Sequence, residues 1–162
     1  MVDFAKSLLD LLAEDVMSRD VLVLPSAMSL RAAAQLLSRT HVSGAPVVDE
    51  HGVCIGVLSA TDFMKWTGGS GNARRPHRGA PACFCSEWQV ASVEILPDER
   101  VERFMTADPV TVSPGTPISA VARCMLDAHI HRVIVVNDHG QPVGIVTSTD
   151  ILATVARAGL EI

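Results

Sequence analysis

The chain has 162 residues, 48% of them apolar and 19% charged, which is the composition of a folded protein with one or two small cores. Its net charge of −5 argues against nucleic acid as the main partner, because a phosphate backbone requires a basic surface. No apolar run approaches the roughly 18 residues that span a bilayer, and the acid-containing N-terminus has no signal-peptide cleavage site. The sequence therefore predicts a cytoplasmic protein that does not bind to or span a membrane.

The first predicted element is an N-terminal amphipathic helix over residues 1–14. Phe4, Leu8 and either Leu11 or Leu12 fall on one helical face, with the charged side chains off it. We expect this helix to pack on its own module or on a second chain, because it carries too few basic residues for a membrane surface.

After this helix the chain contains an internal sequence repeat. Residues 16–64 align without a gap with residues 104–152, at an offset of 88, and 12 of the 49 pairs are identical. The identical pairs include Met17/Met105, His41/His129, Gly56/Gly144 and Asp62/Asp150. Only two copies exist, so the pattern is an internal duplication and not a solenoid.

Each copy contains the same predicted elements in the same order. A short strand (21–24 or 109–112) precedes a helix, and in the second copy Thr116 is the predicted N-cap with Pro117 at the first helical position. The apolar residues of the helices recur at helical spacing: Leu30, Ala33, Ala34 and Leu37, then Ile118, Val121, Ala122 and Met125. Two strands around a turn ending in Gly and a last short helix complete each copy.

The predicted fold class is mixed α/β, and each copy has the element order strand–helix–strand–strand–helix. Units of about 50 residues are marginal alone, so we expect a pseudo-twofold pair with two clefts.

A hydroxyl-rich, acid-tipped segment ends both copies, "GVLSATD" and "GIVTSTD". The first supplies Ser59, Thr61 and Asp62, and the second supplies Thr147, Thr149 and Asp150. A helix start offers backbone N–H groups to phosphate, hydroxyls add donors, and an ionised carboxylate accepts hydrogen bonds from a diol. A ribose 5′-phosphate satisfies all three. The alternative is ordinary helix capping, for which Ser, Thr and Asp are the usual residues.

Together these motifs resemble a tandem CBS-domain protein, a family of regulatory modules named after cystathionine β-synthase. The resemblance rests on "VMSRD" and "FMTADPVTV", on "HVSGAPVVDEHG" and "HIHRVIVVNDHG", and on the two closing segments, all in the same order twice. It places CBS domain 1 at 15–66 and CBS domain 2 at 103–156, with an insert and connector at 67–102 and a tail at 157–162.

The resemblance also implies roles for particular residues. Asp62 and Asp150 are the ribose candidates, with the neighbouring hydroxyls near phosphate. The adenine side of the cleft with Asp150 is implied to come from Val42, Ser43, Gly44, Ala45 and Pro46. The cleft with Asp62 is implied to be lined by His131, Arg132 and Val133, where Arg132 would clamp a phosphate. His41 and His129 fit helix C-termini better than ligand binding.

The insert carries the remaining candidates. Its first half is rich in Gly and Arg, which favours a solvated loop, and a lid over an anionic ligand or a contact for an acidic partner are alternatives. Cys83, Cys85 and His77 are weak metal candidates, because a structural zinc site needs four ligands and wider cysteine spacing. A redox thiol pair is an alternative. Phe84, Trp88 and Val90 are expected to pin the returning chain to the core, and Cys54 and Cys124 to be plain core residues.

We therefore expect a stand-alone regulatory module that is not an enzyme and has no cofactor. Its ligand would be an adenosine nucleotide or relative, with AMP, ADP, ATP, S-adenosylmethionine and a cyclic dinucleotide left open. We expect a homodimer, because family modules commonly pair, and signal transduction to an unknown effector protein, since no catalytic or DNA-binding domain follows the second copy. The alternative is a ligand-free adaptor that uses the fold only for protein–protein contacts.

Overall fold

The structure, a computed structural model, describes residues 8–63 and 96–158. It confirms the mixed α/β class and the strand–helix–strand–strand–helix order of both copies. In the first copy the elements are β1 (Leu24–Pro25), α2 (Leu30–Thr40), β2 (Gly44–Val48), β3 (Cys54–Ser59) and a helix α3 that begins at residue 60 and is described to 63. In the second copy they are β5 (Thr111–Val112), α4 (Ile118–Ala128), β6 (Arg132–Val136), β7 (Pro142–Thr147) and α5 (Ser148–Ala158). Helix α1 (Ala13–Val16) precedes the first copy, and strand β4 (Thr106–Ala107) lies at the entry to the second.

The strands form two sheets with related topology. One has the order β1-β2-β3-β4, with β1 parallel to β2 and β4 antiparallel to β3. The other has the order β5-β6-β7, with β5 parallel to β6 and β6 antiparallel to β7. The parallel pairs are possible because α2 and α4 provide the crossover between their strands. Each sheet therefore ends its last long strand, β3 or β7, directly at a helix start.

The two crossover helices bury the faces that the sequence predicts. Leu30, Ala33, Ala34 and Leu37 are buried in α2, and Ile118, Val121 and Met125 are buried in α4, where Ala122 is half-buried. Both helices end at a histidine in the left-handed conformation, His41 with φ of 54° and His129 with φ of 55°. The prediction that these histidines end helices is confirmed.

The chain divides into two compact units whose limits differ from the limits of the copies. One unit joins residues 8–22, 52–54 and 109–158, and the other joins residues 23–51, 55–63 and 96–108. The segment that leads into each copy therefore belongs to the unit that holds most of the other copy. Each entry segment adds to the last strand of that unit: Ser18 bridges Ile145 of β7, and Thr106 pairs with Val57 of β3.

A methionine–glycine contact accompanies each of these pairings. A β-carbon on Gly144 would lie 2.7 Å from Cγ of Met17 and closer still to its sulfur. A β-carbon on Gly56 would lie 2.9 Å from both Cγ of Met105 and the carbonyl oxygen of Thr106, and closer to the Met105 sulfur. Both distances are shorter than a real β-carbon tolerates, so the entry segments reach the strands only because glycine stands there.

The core of the unit that holds the second copy is built on this contact. Met17 and Ala13 are buried among residues of α4, β6 and β7. The members of this cluster from the second copy are Ile118, Val121, Met125, Val133, Val135 and Val146. The N-terminal segment therefore completes a core that the second copy does not close by itself.

The predicted continuous N-terminal helix is not observed over its described part. Residues Leu8–Asp10 form a 3-10 turn, Leu12 is extended and bridges Pro117, and α1 begins only at Ala13. The Leu12 N–H donates to the Asp15 carboxylate at 2.9 Å, which caps a new helix at this point. Strand pairing and capping together override the helical periodicity of the sequence.

Two further details differ from the sequence prediction. The first strand of each copy is shorter, Leu24–Pro25 and Thr111–Val112. The N-cap of α4 is Pro117 itself and makes no side-chain hydrogen bond. Thr116 does not cap, because its hydroxyl pairs with that of Ser113 at 3.1 Å and its carbonyl accepts from the Ala13 N–H at 2.8 Å.

Most of the insert lies outside the described residues. This holds for Cys83, Cys85, His77 and the residues expected to pin the chain, Phe84, Trp88 and Val90. The described end of the connector packs on the first copy: Leu96 and Val101 are buried, and the Val101 N–H donates to the Met28 carbonyl at 2.8 Å. Cys54 and Cys124 are half-buried.

Candidate functional site

The second copy presents its hydroxyl–acid segment at the junction of β7 and α5, residues 147–150 (the Asp150 junction). One carboxylate oxygen of Asp150, Oδ2, accepts from the backbone N–H and the hydroxyl of Thr147, both at 2.7 Å. The Asp150 N–H donates back to the Thr147 hydroxyl at 3.2 Å. This reciprocal pair is a capping box, so the ordinary capping role is present.

Capping uses only half of this carboxylate. Among the described residues, Oδ1 of Asp150 accepts no hydrogen bond, and the side chain is half-buried. The hydroxyl of Thr149 is exposed and likewise makes no hydrogen bond within the described part of the chain. The junction can therefore cap its helix and still offer one carboxylate oxygen and one hydroxyl to a ligand.

The first copy has the same arrangement at residues 59–62 (the Asp62 junction), but its groups are more fully bonded. Oδ2 of Asp62 accepts from the Ser59 N–H at 2.8 Å and from the Ser59 hydroxyl at 3.0 Å. Oδ1 accepts from the Thr106 hydroxyl at 2.9 Å. The Ser59 and Thr61 hydroxyls are 2.8 Å apart, and Asp62 is only 6% exposed.

The strand entries predicted to face a base lie next to the junction of their own copy. The Ala60 N–H donates to the carbonyl of Ser43 at 3.1 Å, and the Ser148 N–H donates to the carbonyl of His131 at 2.9 Å. In the first copy Gly44, Ala45 and Pro46 are buried, Val42 is half-buried and Ser43 is exposed. The pairing of each segment with the junction of the other copy, which the resemblance implies, stays a prediction.

The corresponding segment of the second copy differs in charge. Arg132 is half-buried and stands opposite Thr147 in the β6–β7 register, between exposed His131 and buried Val133. Burial lowers the pKa of Arg132 from its ordinary value, because desolvation disfavours the guanidinium cation. A cation held in this way is stabilised by an anionic neighbour such as a phosphate.

The sequence reasoning missed Thr106, which contributes directly to the Asp62 junction. It lies 44 residues beyond Asp62, at the entry to the other copy. A signal was present, because its equivalent in the first copy, Ser18, is also a hydroxyl residue following a methionine. Within the described residues no cluster of three or more His, Cys, Asp or Glu could hold a metal ion.

The fold and the twin junctions define a tandem module with one strand-to-helix junction per copy. The family model described as "CBS domain" matches residues 13–69 and 101–157, and the chain belongs to the CBS domain family.

Relatives with known structures share this architecture. The CBS domain pair of protein MJ0100, solved in complex with 5′-methylthioadenosine and S-adenosyl-L-methionine, has a TM-score of 0.69 and 26% sequence identity. That match covers 91% of this chain and 97% of the other. CBSX2 in complex with AMP also has a TM-score of 0.69, covering 91% of this chain and 98% of that one, and at 21% identity it shows likeness of fold.

Curated relatives are mostly longer than this chain. The L-aspartate semialdehyde sulfurtransferase of Methanocaldococcus jannaschii is 27% identical over 140 residues, which is 86% of this chain and 22% of that protein. The chloroplastic CBS domain-containing protein CBSX1 of Arabidopsis thaliana is 28% identical, over 88% of this chain and 61% of its own length. The chain spans about a fifth to a half of the first curated relatives that it matches. In the described part of the chain, no helix has the length and apolar character needed to cross a membrane.

Proposed function

We propose that this protein is a regulatory module that binds an adenosine nucleotide or a related adenosine compound. The observation that carries the proposal is the Asp150 junction, where a capping carboxylate keeps one oxygen without a hydrogen bond among the described residues. The CBS domain pair of MJ0100, which has adenosine compounds bound, supports the choice of ligand.

In this proposal each part of the nucleotide has a chemical counterpart. The ribose diol donates to Oδ1 of Asp150, and the phosphate accepts from backbone N–H groups at the start of α5 and from the hydroxyl of Thr149. The Thr147 hydroxyl, which donates to Oδ2 of Asp150, orients that carboxylate. Residues Val42, Ser43, Gly44, Ala45 and Pro46 supply the adenine side. In the second site Asp62, Ser59 and Thr61 take the sugar and phosphate, and His131, Arg132 and Val133 line the remainder.

The proposed output is a change of conformation read by a partner protein in the cytoplasm, without chemistry on the ligand. A ligand shifts a conformational equilibrium only as far as its affinities for the two states differ. AMP, ADP, ATP and S-adenosylmethionine all carry the adenosine that the proposed contacts recognise. Enzyme names occur among the relatives, but this chain spans only 22% of the sulfurtransferase and 14% of an A-adding tRNA nucleotidyltransferase from Aquifex aeolicus.

A homodimer is part of the proposal, and a specific surface supports it. Leu126 of α4 is 74% exposed, and Leu152 and Val155 of α5 are 68% and 48% exposed. Helices α4 and α5 contact each other, and we propose that these exposed apolar side chains form one interaction surface. The same surface supports the alternative function, a ligand-free adaptor. Sedimentation of the wild-type protein and of Leu126→Glu tests the dimer. If Leu126 lies in the dimer interface, the variant has a lower mass than the wild-type protein.

A thermal-shift screen against AMP, ADP, ATP and S-adenosylmethionine tests the nucleotide-binding function. A ligand at 100 times its dissociation constant adds about 2.7 kcal/mol to the free energy of unfolding, which corresponds to roughly 5–10 °C in a chain of this size. We expect Asp150→Ala to lose the part of this shift that comes from its own site, and Asp138→Ala, at an exposed acid in the β6–β7 turn, to keep the whole shift. No shift with any compound, in protein shown to be free of nucleotide, would favour the adaptor.

A further inference from the structure

The two junctions differ in the hydrogen bonding of Oδ1, the carboxylate oxygen that does not take part in helix capping. In the Asp150 junction, Oδ1 accepts no hydrogen bond from the described residues, and the side chain is half-buried. In the Asp62 junction, Oδ1 accepts from Thr106 at 2.9 Å, and the side chain is 6% exposed. Two positions that are identical in the duplication thus offer different chemistry.

The entry segments place Thr106 and Ser18 at equivalent positions. Thr106 pairs with Val57 of β3, and Ser18 bridges Ile145 of β7 with backbone hydrogen bonds of 2.9 and 3.0 Å. The Ser18 side chain is exposed and makes no hydrogen bond within the described residues. Threonine is β-branched and has few side-chain rotamers, so its hydroxyl is held in one direction more firmly than that of serine. The methyl group that distinguishes Thr106 from Ser18 therefore accompanies the difference between Oδ1 of Asp62, which accepts a hydrogen bond, and Oδ1 of Asp150, which accepts none from the described residues.

The neighbouring hydroxyls show the same difference. In the Asp62 junction the Thr61 hydroxyl lies 2.8 Å from that of Ser59, which itself donates to Asp62. In the Asp150 junction the equivalent hydroxyl, that of Thr149, makes no such bond among the described residues. A diol entering the Asp62 junction therefore competes with the Thr106 hydroxyl for a carboxylate that is only 6% exposed, whereas the Asp150 junction has a carboxylate oxygen that no described residue uses.

We infer that Thr106 closes the Asp62 junction, and that an adenosine ligand binds first and more tightly at the Asp150 junction. The inference rests on the proposed function and adds an order of binding to it. Thr106 is a positioning residue, because it acts through the Asp62 carboxylate. Displacing a hydrogen bond to a charged group lowers affinity by roughly tenfold or more, so the two sites should separate clearly in a titration.

Isothermal titration calorimetry with AMP and, separately, S-adenosylmethionine tests this order. Relative to the wild-type protein, we expect Asp150→Asn to remove the tight site. Asp62→Asn should change the affinity of the tight site by less than about threefold. Thr106→Val removes the hydroxyl at nearly constant shape and should strengthen the weak site by roughly tenfold. Ser18→Ala, at the equivalent position without a bonded hydroxyl, should change neither site.

A second variant guards against misfolding of Thr106→Val. Thr106→Ser keeps the hydroxyl but loses the methyl group, so the weak site should gain affinity by less than in Thr106→Val. If Asp62→Asn weakens the tight site as much as Asp150→Asn does, or if both Thr106 variants leave the weak site unchanged, the inference is wrong while nucleotide binding stands. If neither probe binds any of the proteins, both the inference and the proposed function are wrong.

Discussion

The side chain of Met17 occupies the space that a β-carbon on Gly144 would need, 2.7 Å from the Met17 Cγ. The duplication repeats this relationship between Met105 and Gly56. In each case a residue that leads into one copy packs on the last long strand of the other. Packing thus explains why both copies have a methionine and a glycine at these equivalent positions.

Alanine at either glycine should destabilise the protein. Gly144→Ala and Gly56→Ala insert a methyl group into a closed contact, and overpacking of this kind lowers the free energy of unfolding by about 1–3 kcal/mol. Gly56→Ala should cost more, because its β-carbon also meets the backbone carbonyl of Thr106, which cannot move aside as a side chain can. Urea denaturation measures both values.

The matched control for these variants is Gly115→Ala, since a β-carbon there meets no atom within 4 Å. It should change stability by less than about 0.5 kcal/mol. Combining Gly144→Ala with Met17→Ala should cost less than the sum of the two single changes, because the smaller side chain vacates the space. Simple additivity would contradict the contact.

Without ligand, the two junction aspartates should differ in their contribution to stability. Asp62→Ala removes the acceptor for Ser59 and Thr106 in a buried position, so we expect a loss of about 2–4 kcal/mol in the free energy of unfolding. Asp150→Ala removes a more exposed cap and should cost about 1 kcal/mol. Chemical denaturation of the nucleotide-free proteins compares them, and equal losses would contradict the difference between the junctions.

The left-handed histidines predict a gain in stability on replacement by glycine. His41 and His129 end α2 and α4 with φ of 54° and 55°, a conformation that glycine adopts without strain. We expect His129→Gly to raise the free energy of unfolding by about 0.5 kcal/mol and His129→Val to lower it by about 1 kcal/mol. His139→Gly is the control, because His139 does not have a positive φ and should only lose stability. A loss in His129→Gly as large as in His139→Gly would contradict this explanation of the helix ends.

Arg132 should discriminate between a nucleotide and its nucleoside. A half-buried guanidinium whose pKa is lowered by desolvation gains more from a phosphate than an exposed arginine does. We expect Arg132→Gln to weaken AMP roughly tenfold in the site that it serves, with little change for adenosine. Arg123→Gln, at an exposed position on α4, should leave both affinities unchanged. Equal loss of AMP and adenosine would mean that Arg132 does not contact the phosphate.

The sequence predicts what depends on local pattern. The element order, the buried faces of α2 and α4 and the placement of both acids at a strand-to-helix junction all follow from periodicity and duplication. The exchange of entry segments does not follow, because periodicity does not say which strand a segment joins. For the same reason Thr106 was missed, although the Ser18/Thr106 and Met17/Met105 pairs carried a weak signal. The N-terminal helix prediction was wrong over residues 8–12, because pairing of Leu12 with Pro117 interrupts the helix, which begins again at Ala13.

The central claim is that the carboxylate of Asp150 accepts the ribose hydroxyls of an adenosine ligand. Calorimetric titration with AMP and with 2′,3′-dideoxy-AMP tests it most directly, because the two ligands differ only in the diol. For wild-type protein we predict that AMP binds the tight site at least roughly tenfold more tightly than 2′,3′-dideoxy-AMP. For Asp150→Ala we predict that this tight site is lost for both ligands. Binding of AMP by Asp150→Ala as tightly as by the wild-type protein, or equal binding of both ligands by the wild-type protein, would contradict the account.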